Sequence, residues 1–260
     1  MCPERGHSAD WRDAVAYAPL LEADRSVFAW EWLRRDPGYR AAAERALRRE
    51  SALRPRDPLE AGRWGLHGFE SPDLGAPAAR PVWRADIHSY VLEADAAPTD
   101  EARDSFVLAR LQPASAIVIG PSGEEHLLIS DGLRAIRLDL LSGSLKHGPV
   151  RLRYRLAGLA GAERPLLTLR RLLALWRTGR FSRVLHPPDA RAGRFVLMLR
   201  AWDAIASGAT QREIAAELLS AEAGEARWRV SAPTLRSRVQ RLVRNARAMA
   251  AGGYVSLLKA

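Results

Sequence analysis

The hydrophobic pattern changes twice along this chain of 260 residues, and the changes restrict the folds that it can adopt. In the first and last parts of the chain, apolar residues recur at the spacing of amphipathic helices. Between residues 105 and 157, short apolar runs are bounded by turn residues, a pattern typical of β-strands. The sequence therefore predicts an α+β fold in which a central antiparallel β meander lies between two helical parts.

Three parts are predicted along the chain. Residues 1–64 form a small N-terminal helical domain, and residues 65–104, which are rich in Pro and Gly, form a connector. Residues 105–260 form a C-terminal domain in which the meander, 105–157, precedes helices and a helix-turn-helix variant at 165–251. The length suits one or two domains with buried cores.

Positive charge is concentrated in the second half of the sequence. Residues 151–260 contain 21 Lys or Arg against 7 Asp or Glu, a net charge of +14, whereas residues 1–150 contain 19 against 23, a net charge of −4. Such an excess of positive charge indicates an anionic partner, most often nucleic acid. All but two of the basic residues are Arg, a bias that fits a GC-rich genome. The use of Arg in place of Lys is therefore no evidence that these residues recognise DNA bases.

Patterns of enzymes, metal sites and membrane proteins do not stand out in the sequence. Cys2 is a single cysteine, which favours a reducing compartment, and no run of 18 apolar residues is present. The six histidines lack metal-ligand spacing, and the GPSGEE segment lacks the lysine of a phosphate-binding loop. We therefore expect a non-enzymatic protein without cofactor or metal, located in the cytoplasm with the nucleoid and not at a membrane.

Residues 194–219 have the pattern of the first part of a helix-turn-helix. A predicted helix at 194–207 ends at Gly208, and a short helix with one apolar face follows. Thr210 and Glu213 have the spacing of a capping box, in which each side chain bonds to the backbone N–H of the other residue.

The third helix is predicted at 231–250, with Ser231 as its N-cap and glycines 252 and 253 as its end. At 100° per residue, one side carries the apolar residues Leu235, Val239, Leu242, Ala246 and Met249. The opposite side carries polar residues, which we take as candidate DNA contacts: Arg236, Gln240, Arg244 and Arg247, with Ser237 and Arg241 beside them. A helix with five arginines and no acid suits the major groove, where Arg can bind guanine or phosphate and Gln can bind adenine.

An insert of eleven residues, 220–230, leaves other interpretations open. The standard motif has a turn of three or four residues at this place, and Glu222 and Glu225 would lie unfavourably near phosphates. The alternative function is therefore a protein-interaction regulator, an antiactivator or co-regulator, whose helix-turn-helix-like domain binds a protein. RNA binding is a weaker third interpretation, because no aromatic-rich RNA-binding strand is present.

Aromatic residues are concentrated between positions 11 and 39, where six Trp, Tyr or Phe occur in 29 positions. They form either a small helical core or a surface that binds a partner, because Trp, Tyr and Arg are frequent anchors in interfaces. The candidate partner-binding residues are Trp30, Trp32, Arg34 and Arg35.

Six stretches of the sequence resemble a bacterial family that joins an N-terminal transcriptional-regulator-like domain to a C-terminal helix-turn-helix variant. They are DWRDAVAYAPLLEADRSVFAWEWLRRDPGYR, HLLISDGLRAIRLDLLSGSL, GPVRLRYRLAGL, TLRRLLALWRTGRF, GATQREIAAELL and SAPTLRSRVQRLVRNARAMAAGGY. The resemblance implies a DNA-binding transcription factor, often associated with conjugative mobile elements. Some relatives are activators, and some short relatives are antiactivators that act through protein contact.

The resemblance also implies functional residues and partners for this chain. The implied DNA-facing positions are Gln211, Arg212, Ser237, Arg241 and Arg244. Since the N-terminal domain accompanies activation in the family, RNA polymerase or another regulator protein is an implied partner besides double-stranded DNA. We therefore expect a DNA-binding activator that reads the major groove with the helix at 231–250.

Overall fold

The computed structural model describes residues 10–50, 58–111, 114–220 and 233–259, which form an α+β fold as the sequence predicts. The N-terminal helices are α1 (Ala14–Tyr17), α2 (Arg25–Leu33), α3 (Pro37–Glu50) and α4 (Pro58–Gly62). The strands are β1 (Val91–Pro98), β2 (Ala114–Ile119), β3 (Glu125–Ser130), β4 (Ala135–Ser142) and β5 (Val150–Arg155). The C-terminal helices are α5 (Leu159–Thr178), α6 (Ala192–Ala206), α7 (Gln211–Leu218), α8 (Pro233–Ala250) and α9 (Ser256–Lys259).

The central sheet is mixed, with the strand order β2-β3-β4-β1-β5. Strands β2, β3 and β4 form the predicted antiparallel meander, but β1 pairs parallel with β4 and antiparallel with β5. The prediction of a purely antiparallel sheet is thus wrong in one respect, because β1 comes from the predicted connector. Its sequence, VLEADAAP, contains small alanines in place of the branched residues that mark strands.

The first apolar run of the predicted meander, FVLARL at 106–111, is not a strand. Phe106 forms only an isolated bridge with Val150, and Leu108–Arg110 is a 3-10 turn. The side chain of Phe106 is nevertheless buried with the sheet core, where Leu172 and Leu175 of α5 cover the same apolar face. The apolar residues of this segment are therefore explained by their packing on the sheet core, and not by pairing as a β-strand.

The N-terminal helices share one apolar core with the C-terminal helices. Phe28 of α2 packs edge-on against Phe195 of α6, with ring centroids 5.2 Å apart. The same core contains Ile214 of α7 and Val239 of α8. The helices that precede the sheet in the sequence and the helices that follow it therefore form one packed unit.

A buried ion network joins α2 to α6. Asp203 of α6 accepts two hydrogen bonds from Arg35, at 2.7 and 2.8 Å, and one from the Tyr17 hydroxyl at 2.7 Å. Arg35 also donates to the Glu31 carboxylate at 2.6 Å. Burial and the negative charge of Asp203 raise the pKa of Tyr17, so its hydroxyl stays protonated and donates. The network fixes the N-terminal helices on α6.

Gly143, directly after β4, is required by the parallel pairing of β4 with β1. Its φ is +79°, and a Cβ there would lie 1.9 Å from the carbonyl oxygen of Ala96 in β1. Gly148 also has a positive φ, +109°, but its Cβ would meet nothing within 4 Å. The two glycines therefore share unfavourable backbone geometry for other residues and differ in the space around them.

We expect Gly143→Ala to lower the free energy of unfolding by about 1–3 kcal/mol more than Gly148→Ala does, because only the first variant adds a collision to the backbone penalty. Urea denaturation of both variants measures the difference. Equal losses in the two variants would show that β1 moves freely away from Gly143.

His88 is a buried histidine whose protonation opposes folding. Its side chain is 7% exposed, and burial together with the positive charge of Arg137 lowers its pKa to about 3, from an ordinary value of 6.5. The unfolded chain binds a proton at His88 between these two values, whereas the folded chain does not. Stability conferred by the neutral ring is thus present above pH 6.5 and is lost as the pH falls towards 3.

We expect His88→Asn to reduce the slope of unfolding free energy against pH by up to about 1.4 kcal/mol per unit between pH 6 and pH 4. Urea denaturation at several pH values measures this slope. The exposed His147 offers a matched control, because His147→Asn removes one imidazole outside the core, and its slope is measured in the same way. A His88→Asn slope equal to that of the wild type would contradict the account.

Candidate nucleic-acid interface

Helices α6, α7 and α8 pack against one another as a three-helix unit. Between α6 and α7 the chain turns at Gly208, whose φ is +85°, and the N–H of Ala209 donates to the carbonyl of Ala204. This geometry closes the end of α6 and starts α7 within a few residues. The first two helices of the predicted motif are therefore adjacent in space, with a short turn between them.

The predicted capping box at the start of α7 is confirmed. The backbone N–H of Glu213 donates to the Thr210 hydroxyl oxygen at 3.3 Å, and the N–H of Thr210 donates to the Glu213 carboxylate at 2.7 Å. The bonds that the Glu213 carboxylate accepts from the N–H and the hydroxyl of Thr210 lower the pKa of this carboxyl. The carboxylate of Glu213 is thus engaged in capping α7. The carboxylate of Glu217, the other acid of α7, lies 3.8 Å from the guanidinium of Arg200 in α6.

Helix α8 separates apolar and basic residues onto two faces. The apolar residues Leu235, Val239, Val243 and Ala246 are buried against α6 and α7. The exposed side carries five arginines, here called the arginine face: Arg236, Arg238, Arg241, Arg244 and Arg247. Of the predicted apolar side, Leu235, Val239 and Ala246 are buried, and Leu242 and Met249 are partly buried. Val243, which was not predicted, is buried as well, so the apolar side is shifted towards it.

Within the described ranges, no carboxylate forms an ion pair with the arginine face. Other arginines of the protein are paired, for example Arg35 with Asp203 and Arg137 with Asp139. The five guanidinium groups between residues 236 and 247, which have no carboxylate partner in the part of the chain that the structure describes, repel one another, and an anionic partner relieves this repulsion. The face is thus suited to a polyanion.

All eight candidate DNA contacts predicted from the sequence lie on the surface. Gln211 and Arg212 are exposed in the first turn of α7, and the others are exposed on α8: Arg236, Ser237, Gln240, Arg241, Arg244 and Arg247. Arg238 is equally exposed but was not among the candidates, because the helical wheel places it near the apolar side. The predicted N-cap Ser231 and the acids Glu222 and Glu225 of the insert lie outside the described residues.

The candidate partner-binding residues of the N-terminal helices do not form a surface. Trp30 and Trp32 are each 1% exposed, and Trp30 donates its indole N–H to the carbonyl of Leu74. The side chains of Arg34 and Arg35 are 11% and 9% exposed and pair with Glu31. Of the two interpretations of the aromatic residues at 11–39, the structure supports the helical core, because these residues are buried.

Both ends of the chain match family models of transcriptional regulators. Residues 157–259, which contain α5 to α9, match a RovC-type domain described as "T6SS, Transcription factor, DNA binding domain". Residues 10–67 match the "Proteobacterial transcriptional regulator-like domain". None of the curated proteins is detectably similar to the chain. Among the described residues, no helix is long and apolar enough to cross a membrane.

The two matches agree with the two-domain family that the sequence resembles. The match at residues 157–259 includes the three-helix unit and the arginine face. Together the domains indicate a transcription factor with a DNA-binding domain.

Proposed function

We propose that this transcription factor, which joins a regulator-like domain to a DNA-binding domain, binds a specific DNA site by placing α8 in the major groove. The observation that carries the proposal is the arginine face, which is exposed, free of acids and opposite the packed side of α8. An α-helix fits the width of the major groove, and 18 residues span about 27 Å.

The position of each side chain on α8 suggests its part in binding. Arg241 and Arg244 lie farthest from the buried side and are proposed to contact guanine edges, with Ser237 beside them. Gln240 has an amide suited to adenine. Arg236 and Arg247 flank this centre and are proposed to contact phosphates.

Helix α7 is proposed to hold the DNA backbone. Gln211 and Arg212 are exposed at its first turn, where side chains and backbone N–H groups of helix starts commonly contact phosphates. Its acids have partners elsewhere, since Glu213 bonds to Thr210 and Glu217 lies by Arg200. In this arrangement α7 fixes the orientation and α8 supplies the sequence preference.

We further propose that the protein activates transcription through RNA polymerase or another regulator. This part rests on the resemblance of the sequence to a family with activators. Because Trp30, Trp32 and Arg35 are buried, the contact uses other residues of the regulator-like domain. A reporter gene downstream of the bound site, measured with and without the protein, distinguishes activation from repression.

Recovery of bound fragments from sheared genomic DNA tests the proposal of specific binding. The purified full chain is incubated with the fragments at two salt concentrations, with an excess of unrelated DNA as competitor. We expect a small set of fragments to be enriched at both salt concentrations, and a shared sequence in them to define the site.

Enrichment without any shared sequence, lost at the higher salt, would contradict the proposal. In that case the positive charge of residues 151–260 serves only general attraction to phosphates. The alternative of a regulator that acts by binding a protein would then replace it.

A further inference from the structure

Two histidines and one aspartate from three separate segments meet beside the sheet. His126 of β3 and Asp139 of β4 are direct partners across the antiparallel strands. His67 comes from the segment after α4, where its backbone N–H donates to the carbonyl of Val82. The three residues each offer a ligand atom, and these atoms lie within 4.8 Å of one another.

One buried ring nitrogen of this cluster, Nε2 of His67, has no hydrogen-bond partner among the described residues. His126 Nδ1 lies 3.0 Å from Asp139 Oδ1, and the two rings stack with centroids 3.4 Å apart. Buried polar atoms without a partner are rare in native proteins and indicate a missing ligand or water.

The carboxylate of Asp139 is held in place by Arg137, which bonds to the same oxygen, Oδ1, that lies nearest His126. Arg137 donates to Asp139 Oδ1 at 2.8 Å and also donates to the carbonyl oxygens of Trp83 and Leu127. Bonds of this kind orient the ligands of metal sites in proteins. The orientation of Asp139 is therefore fixed before any ion binds.

A cavity of about 270 Å³ adjoins the cluster and leaves room for an ion and a further ligand. Its wall includes Glu124, Asp86 and Gly120. A Cβ at Gly120 would lie 2.5 Å from Glu124 Oε2 and 3.0 Å from His126 Nε2, so glycine keeps this side open. Three carboxylates, of Asp139, Glu124 and Asp86, outnumber the two guanidinium groups, of Arg137 and Arg84, around the cavity.

We propose that His67, His126 and Asp139 bind a divalent transition-metal ion of the Zn²⁺ type, with water or Glu124 as the fourth ligand. Two imidazoles and one carboxylate form a typical ligand set for such ions. Ligands at about 2.1 Å from a tetrahedral ion lie about 3.4 Å apart, so the three ligand atoms need only a small approach. Because an imidazole nitrogen binds a metal ion in the plane of its ring, the site requires the two rings to rotate out of their stacked arrangement when the ion binds.

The ion would tie two parts of the protein together. His67 is the last residue of the regulator-like match, whereas His126 and Asp139 belong to the central sheet. An occupied site therefore fixes the end of the regulator-like domain on the sheet. The metal site is a property beyond DNA binding and does not depend on it.

Zn²⁺ titration of the untagged full chain by isothermal calorimetry tests the site. We expect one ion per chain, and His67→Ala and His126→Ala each to weaken binding at least about 10-fold. His147→Ala removes an exposed histidine, and Cys2→Ser removes the single thiol, so both serve as controls with wild-type affinity. Circular dichroism verifies that each variant is folded.

Histidine-ring NMR of the wild type decides the question if a variant does not fold. We expect Zn²⁺ to shift the ring signals of two histidines and to leave those of His147 unchanged. Wild-type affinity in both His67→Ala and His126→Ala would overturn the proposal. So would loss of binding in Cys2→Ser, or no uptake of Zn²⁺ by the wild type.

Discussion

Arg35→Ala is expected to lower the free energy of unfolding by about 3–5 kcal/mol. The guanidinium bridges Glu31 in α2 and Asp203 in α6, and its side chain is 9% exposed. Without it, Asp203 is left buried with no cation partner among the described residues, and Glu31 keeps only its longer contact with Arg34, at 3.7 Å. A buried charge without its partner is among the most destabilising results of a single substitution.

Urea denaturation of the variant measures this loss, and Arg48→Ala provides the control. Arg48 pairs with Glu44 on the surface and is 76% exposed, so its removal costs no more than about 1 kcal/mol. In the double variant Arg35→Ala/Asp203→Ala the second substitution is expected to restore part of the stability, because one buried charge is removed. An Arg35→Ala variant as stable as Arg48→Ala would contradict the role of the network.

Arg241→Ala and Arg244→Ala are each expected to weaken binding to the cognate DNA site by about 1–3 kcal/mol, a 5- to 150-fold loss of affinity. Both side chains lie in the middle of the arginine face and have no carboxylate partner among the described residues. Their removal costs the fold little, so the loss falls on DNA binding. Fluorescence anisotropy with the recovered fragment measures it.

Arg153→Ala is the matched control for these two variants. It removes the same charge from an exposed position, but from β5 of the sheet. We expect Arg153→Ala to bind the cognate site nearly as the wild type does. Equal losses in all three variants would show that affinity follows total charge and not the position of α8.

Features set by neighbouring residues could be predicted from the sequence. The capping box at Thr210 and Glu213 depends on four consecutive residues, and the left-handed end of α5 depends on Gly179. The two faces of α8 follow from one helical period. These local patterns determine the elements that form the candidate interface.

Features set by contacts between distant segments could not be predicted. The tryptophans of α2 resemble interface anchors in sequence, and only their burial in the shared core shows that they are core residues. Strand β1 has an alanine-rich sequence and depends on pairing with β4 and β5. His67 lies far in sequence from His126 and Asp139, so the spacing of ligands along the chain gave no signal for their cluster.

The shared core joins the two matched domains. Asp203 lies in α6, which packs against α8, and it is bound by Arg35 and Tyr17 of the N-terminal part. The regulator-like domain and the DNA-binding domain are therefore in direct contact through one core.

Affinity for cognate DNA with altered purines tests the major-groove proposal most directly. Replacing purines with 7-deazapurines removes the N7 acceptors from the major groove, whereas replacing guanine with hypoxanthine removes the amino group from the minor groove. We predict that 7-deazapurines at the contacted positions weaken wild-type binding, that hypoxanthine does not, and that Arg241→Ala or Arg244→Ala abolishes the effect. Binding weakened by hypoxanthine and unchanged by 7-deazapurines would contradict the account.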